Sequence, residues 1–446
     1  MRIAWAAALS VATVAGRADA QSAPPVPEGV DLSASARLRY EAITDPPRAG
    51  LDGDESLVNL RTILHGSYRK GSVSVVAELW DSRVYGDGGD TPVTTSEVNA
   101  AELVQAYVEV EHAFGAARLA ARVGRMTLNI ASRRLVAADD YRNTTNGYTG
   151  VAVDIAPREG LTGTLIYVLP QQRRPDDPAR VRRNAVAIDR ENFDLVLWGG
   201  TLAQAEAIGP LAIEGSFYHL GERDTPGRPT RDRRLDTYGG RVFRDPDAGK
   251  PDVEVEGFYQ SGSIATATSA GAPRIPVSAW FLHGDAGYTF AGAWQPRIAV
   301  EYDYASGDRA GGSYGRFDTL FGMRRADLAP SGLYNAIGRA NISTPGVRLE
   351  VEPSKRVDAF VSYRAMWLAE RTDAFSTTSV RDARGEAGSF AGHQIDSRLR
   401  WWVRPHALRF EADAVVLAKG RFLIDAPNAP PHGTTAYGSL NLTAMF

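Results

Sequence analysis

The chain has 446 residues, no cysteine, a net charge of −3 and 23% charged residues. These values exclude a disulfide framework, thiolate metal ligands and a cysteine nucleophile, and they offer no basic excess for nucleic acid. No apolar run reaches the roughly 18 residues of a membrane helix, so any crossing of a bilayer must be made by strands.

The chain opens "MRIAWAAALSVATVAGRADAQ", with Arg2, an apolar stretch over residues 3–15 and the small-residue pattern Ala18-Asp19-Ala20. This is the layout of a signal peptide cleaved after Ala20, followed by a short periplasmic segment, 21–30, and one barrel domain, 31–446. A period of two then sets in. In "DLSASARLRYE", Leu32, Ala34, Ala36, Leu38 and Tyr40 share one face, and Ser33, Ser35, Arg37, Arg39 and Glu41 share the other. "VNLRTILHGSY", "QAYVEVE", "PRIAVEYDYA", "QIDSRLRWWV" and "LRFEADAVV" repeat the pattern.

Segments of this kind fall at 31–41, 57–69, 72–83, 103–112, 117–127, 148–156, 160–169, 191–203 and 209–221. The series continues at 234–244, 252–262, 277–290, 295–305, 343–352, 355–368, 392–403, 406–418 and 435–446. Each has about ten residues, the length of a tilted strand crossing a bilayer. In 234–244 Arg241 falls on the apolar side, and a bulge at Gly239-Gly240 is expected to restore the phase.

The connections alternate. "RKGS", "AFGAA", "PRE", "AEAIGP", "DPDAGKP", "AGAW", "EPS" and "RPH" are short, whereas 42–56, 84–102, 128–147, 170–190, 222–233, 306–342, 369–391 and 419–434 are long. The expected fold is therefore all-β: a transmembrane antiparallel β-barrel of about 18 strands, with short periplasmic turns and long extracellular loops, in a bacterial outer membrane. Closure follows from the cost of an unpaired edge in lipid, so the last segment, "AYGSLNLTAMF", must pair with the first. Its terminal Phe446 resembles the aromatic signal by which barrel-assembly machinery takes up its clients.

A barrel of this size encloses a channel unless loops plug it. Strand phase directs Arg37, Arg39, Arg61, Arg122, Arg297, Arg348, Arg364, Arg398, Arg400 and Arg409 into the lumen, where rings of arginine favour anions. Lumen carboxylates such as Glu41, Glu109, Asp303 and Glu411 offer the same arginines plain wall partners. Loops 128–147, 170–190 and 306–342 are long enough to fold inward. The second of them carries Arg173, Arg174, Arg180, Arg182, Arg183 and Arg190, a funnel for an acidic solute or a face toward anionic lipopolysaccharide. Trp80, Tyr167, Trp280, Tyr288, Tyr363, Trp367 and Trp401 are assigned to aromatic girdles at the two interfaces.

Neither HExxH nor a P-loop occurs, and no catalytic residue is assigned. His283 and Asp285, two apart on one face, are read as a hydrogen-bonded wall pair, with a lipid-hydrolysing barrel as the remote alternative. No cofactor or metal is expected beyond a weakly bound calcium in "GDGGDT".

The segments "AELVQAYVEVE", "ARVGRMTLNIASRRLVAADDYRNTTNGYTGVAVD", "EYDYASGD…GRFDTLF", "GHQIDSRLRWWV" and "AKGRFL" resemble, in order and spacing, the alginate-export family of outer-membrane proteins. The resemblance implies an eighteen-stranded barrel with an arginine-rich constriction that passes a polyuronate. It assigns guidance of anion to Arg39, Arg61, Arg125, Arg134, Asp140 and Arg142. The function implied is a channel for anionic solutes, foremost an acidic polysaccharide such as alginate, with a general or nutrient-specific porin as the alternative. Its partners would be outer-membrane lipid and lipopolysaccharide, an anionic saccharide or small anionic solute, and the barrel-assembly machinery.

Overall fold

The computed structural model describes residues 28–446 apart from 89, 90, 140, 326 and 432. The signal-peptide assignment, Asp140 and part of the "GDGGDT" loop lie outside the described residues. Eighteen strands run through the rest. They begin β1 Val30–Thr44, β2 Glu55–Lys70, β3 Val73–Tyr85, β4 Asn99–Phe114, β5 Ala117–Met126 and β6 Tyr148–Arg158. Next come β7 Leu161–Pro170, β8 Leu195–Ile208, β9 Leu211–Glu222, β10 Arg234–Arg244, β11 Lys250–Ala265 and β12 Arg274–Thr289. The series ends with β13 Arg297–Ala305, β14 Ile342–Ser354, β15 Val357–Trp367, β16 Phe390–Arg404, β17 Leu408–Lys419 and β18 Thr435–Met445.

Every strand pairs antiparallel with its neighbours in the chain, and β1 also pairs with β18, so the sheet closes on itself. The closing register sets Arg39 beside Asn441 and Leu38 beside Leu442, keeping lumen-facing against lumen-facing residues. Ala34 N–H donates to the Phe446 carbonyl at 3.1 Å and Phe446 N–H to the Ala34 carbonyl at 2.9 Å. Deleting Phe446 removes both seam bonds and a lipid-facing ring. The expected outcome is less heat-modifiable, folded barrel on gels, with unchanged conductance in the channels that do assemble.

The alternation has a direct physical outcome. Outward positions such as Leu32, Val123, Val300 and Leu440 are broadly exposed, while Arg39 and Arg364 on the inner face are each 1% exposed. A soluble protein would reverse that distribution, whereas a lipid-embedded wall requires it.

Two expectations are corrected. β10 pairs with β9 and β11 in unbroken register, with no bulge at Gly239-Gly240. The set Leu235, Thr237 and Arg241 is the inward one, and Tyr238 and Val242 face out. Trp80 is not in a girdle: it is buried on the inner face, with the Arg61 guanidinium 4.6 Å from its ring centre.

The lumen is largely filled by L3 (127–147) and L7 (306–341), which meet through a parallel bridge between Val136 and Phe321. L7 stacks Phe317 on Phe258 and Phe281 of the wall and sets the Tyr334 ring 5.7 Å from Tyr437. Gly332 makes this close approach possible: its φ is +82°, and a Cβ there would meet a Glu41 carboxylate oxygen at 2.8 Å. L4 (171–194) carries the short helix α1, Pro178–Arg182, capped by the Asp177 side chain. The ninth loop carries α2, Arg421–Asp425, which buries Phe422 and Leu423.

Candidate functional site

The wall arginines are built into pairs. Arg122 donates to Asp154 at 2.6 Å, Arg348 to Glu350 at 2.7 Å, Arg398 to Asp358 at 2.6 Å and Arg400 to Glu411 at 2.8 Å. Arg364 holds Asp303 at 2.8 Å and Glu301 at 2.5 Å. Arg39 contacts Asn441 and Glu41, and lies 4.3 Å from the Tyr141 ring centre. Arg297 is clasped by Asp252 and Asp285, and the Arg409 guanidinium lies 5.6 Å from the Trp402 ring centre. Arg37 and Arg61 reach L3, donating to the Arg142 carbonyl at 2.8 and 3.0 Å. An arginine paired with a carboxylate stiffens the wall and contributes little net field, and one bonded to a loop carbonyl positions that loop.

His283 bonds Asp303 at 2.7 Å and Asp285 bonds Arg297, so the pair expected between His283 and Asp285 is replaced by two cross-strand pairs. Arg125 departs further from expectation. It shares the outward register of β5 with Val123 and is held by Glu102 at 2.6 Å and Glu191 at 2.7 Å. Asp87, a described carboxylate of the "GDGGDT" loop, is bonded to Arg182 at 2.8 Å.

L3 and L7 are locked by charge. Asp327 accepts from Arg134 at 2.8 Å and also from Arg339. Arg134 additionally reaches Glu254 and Glu256 of β11. Arg325 donates to Asp396 and Asp413, both at 2.6 Å. Backbone and hydroxyl bonds reinforce these pairs: Leu333 N–H to Glu41 at 2.9 Å and Tyr334 O–H to Gln394 at 2.6 Å. Burial alone would raise the Asp327 carboxyl, yet the Arg134 and Arg339 guanidiniums hold it well below the usual carboxylate range.

A further group of arginines comes together in the loops. Arg142, Arg173 and Arg324 converge on a cavity of about 200 Å³, with Glu97, Asp139 and Asn146 also on its wall. Arg142 meets Asp139 at 3.1 Å and Asn146 at 2.5 Å, and Arg173 donates to Asn146 at 2.9 Å. Burial pushes Arg173 down to about 10, and the neighbouring Arg142 charge pushes the same way. Arg324 also comes down to about 10: burial leads, Asp139 opposes, and Arg142, Arg339 and Arg48 add to the depression.

Arg324 and Thr319 also line a second cavity of about 450 Å³, with Arg231, Arg233, Arg316 and Arg339. At the short-turn end the balance reverses, and a cavity of about 870 Å³ is lined by Glu111, Asp154 and Glu214 with Arg118.

Sequence reasoning reached Arg142 and Arg173 but missed Arg324. The doublet Arg324-Arg325 in "GMRRADLAP" was the available signal, since adjacent residues point apart: Arg325 pairs with the wall and Arg324 turns to the cavity. L4 divides similarly. Arg173 enters the cavity, whereas Glu191 runs to Arg125 and Thr149 in the outward register.

A sequence model described as alginate export matches residues 29–436. No curated protein sequence matches the chain. Among solved structures, a BenF-like porin from Pseudomonas fluorescens Pf-5 aligns with a TM-score of 0.62 at 11% identity, covering 94% of this chain and 99% of its own. OpdK of Pseudomonas aeruginosa aligns with a TM-score of 0.58 at 13% identity, covering 93% and 98%. OccK2 (OpdF) of the same organism, solved in complex with glucuronate, aligns with a TM-score of 0.56 at 11% identity, covering 94% and 98%. At such identities the likeness carries the porin fold and no more. With the family match spanning nearly the whole described chain, the protein belongs to the alginate export family and is a channel-forming β-barrel of the bacterial outer membrane.

Proposed function

We propose that this channel passes anionic solutes bearing carboxylates, with an acidic saccharide of the alginate type as its substrate class. The observation that carries the proposal is the convergence of Arg142, Arg173 and Arg324 on one cavity in the external half of the lumen. Three guanidiniums facing two carboxylates leave a net demand for anion, and a planar fork matches a carboxylate bidentately. The glucuronate of the OccK2 structure has the same chemistry, a carboxylate on a sugar ring.

Passage of small organic anions, as in a nutrient porin, is the second reading. It is favoured by the Asp327 and Arg325 pairs, which hold L7 in the lumen and leave cavities of about 200 and 450 Å³ in the external half. Planar-bilayer recording in a KCl gradient tests the shared claim: the reversal potential should report preference for chloride, and a cation preference would overturn it. Block of the current by oligouronate as well as by glucuronate favours the polymer, and block by glucuronate alone favours the small solute.

The preference should also strengthen on acidification. Burial raises the Glu97 carboxyl, against the hydrogen bonds from Thr94 that lower it. As pH falls through that raised value the cavity loses a negative charge, so the chloride-to-potassium permeability ratio is expected to rise.

A further inference from the structure

A cleft of about 450 Å³ lies on the outer wall at the long-loop ends of β7 to β10, away from the lumen. Tyr167, Trp198, His219 and Arg234 line it from the outward register of four successive strands, and Phe193 and Arg223 flank it from the loops. We propose that this cleft binds a phosphorylated glycolipid of the outer leaflet, with acyl chain against Tyr167 and Trp198 and phosphate against Arg223 and Arg234. The proposal concerns the outer wall and does not depend on what passes through the lumen.

Depth is the first argument. Charged groups on a lipid-facing wall are costly at the bilayer centre and cheap near its surface, so the outward Arg234, Asp236 and His219 mark headgroup level. His219 bonds Asp236 at 2.7 Å, and its ring centre lies 5.4 Å from that of Trp198, joining a polar rim to an aromatic floor. Gly221 contributes no side chain to the floor and so keeps the cleft open.

Charge is the second argument. The carboxylates at the cleft are committed elsewhere: Glu222 to Arg233 at 2.8 Å and Arg228 at 3.2 Å, and Asp232 to Arg274. Arg223 and Arg234 are left with long contacts, 3.5 Å to Asp194 and 3.6 Å to Asp232, and their side chains are 72% and 62% exposed. Two such forks beside an aromatic floor suit a phosphate joined to acyl chains, whereas a free phosphate would make no use of Tyr167, Trp198 and Phe193.

Native mass spectrometry of the full-length protein in mixed micelles tests the proposal, with bisphosphorylated lipid A as probe and its dephosphorylated form as reference. The wild type is expected to prefer the phosphorylated lipid roughly tenfold. The double variant Arg223→Ala, Arg234→Ala should lose most of that preference while keeping heat-modifiable mobility and wild-type conductance. An equal ranking of the two lipids by the wild type, or an undiminished preference in a folded double variant, overturns it. Should the double variant fail to fold, the wild-type ranking decides alone. Retained affinity for inorganic phosphate without affinity for lipid A would equally overturn the glycolipid assignment.

Discussion

Replacing Asp327 by Asn is expected to release L7 from the lumen and raise single-channel conductance severalfold. The carboxylate is the shared acceptor of Arg134 and Arg339, on an L7 segment held against the wall by Arg325 as well. Removing one partner of a buried ion pair costs about 3–5 kcal/mol because the other charge is left desolvated. Arg134 keeps Glu254 and Glu256, so the uncompensated charge is mainly that of Arg339, which lies on L7 itself, donates to the Met323 carbonyl of the same loop and regains water only when the loop leaves its seat. At about 1.4 kcal/mol per factor of ten, the undocked population of L7 rises by roughly two to three and a half decades.

Single-channel recording would show larger, noisier openings. Conductance identical to wild type would mean that L7 is held by its aromatic stack rather than by charge. Breaking the exposed Arg421–Asp425 pair with Arg421→Gln is the matched control, since surface pairs contribute about 0–1 kcal/mol, and no change is expected. The pH sign follows from the depressed Asp327 carboxyl. Its contribution is fully present above the ordinary carboxylate range, near 4, and is lost only as pH falls through the lowered folded value. The lock should therefore hold at neutral pH and open in strong acid.

The second large effect is expected at Arg324. Arg324→Ala should weaken block by glucuronate roughly tenfold or more, since a hydrogen bond to a charged group contributes about 1.5–3 kcal/mol. Arg173→Ala should act in the same direction and Arg324→Lys by less, because an ammonium keeps the charge but loses the fork. The depressed arginines give the reason. A base whose folded pKa is lowered carries a stability cost at every pH below that value, about 10 for both residues, relieved only as pH rises through it. A bound anion offsets the same cost at neutral pH, so affinity and relief of strain have one source. The readout is the blocking constant from current traces at fixed voltage. An unchanged constant in both alanine variants would move the anion site to another part of the lumen.

The wall arginines invite the opposite expectation. Arg348 and Arg398 each have a carboxylate within 2.7 Å, so they are poor candidates for anion binding although strand phase directs them inward. Their inward phase was legible because a strand's two faces are set by backbone geometry alone, two residues at a time. The same logic read the seam, where Leu440 and Asn441 take opposite faces and meet Tyr40 and Arg39. It went astray where side-chain type did not report the face. Trp80, read as an interface residue, packs inside against Arg61, and the inward set of β10 carries Leu235 and the outward set Asp236. Arg125 was assigned to the lumen by resemblance, and β5 turns it outward.

Strand number, the alternation of short turns with long loops, the two faces of strands such as β1 and β18 and the closing partner of the last strand were therefore determined by the sequence itself. Each depends on a local period or on the rule that lipid tolerates no unpaired edge. Which arginines are paired with carboxylates was decided only by the tertiary structure. Arg325 is neutralised by residues 71 and 88 positions away, and Arg134 by one 193 positions away, while Arg324 and Arg173 converge from separate loops. Pairing of charge depends on distance in space, and in a closed barrel whose lumen is filled by two loops that distance has no period along the chain.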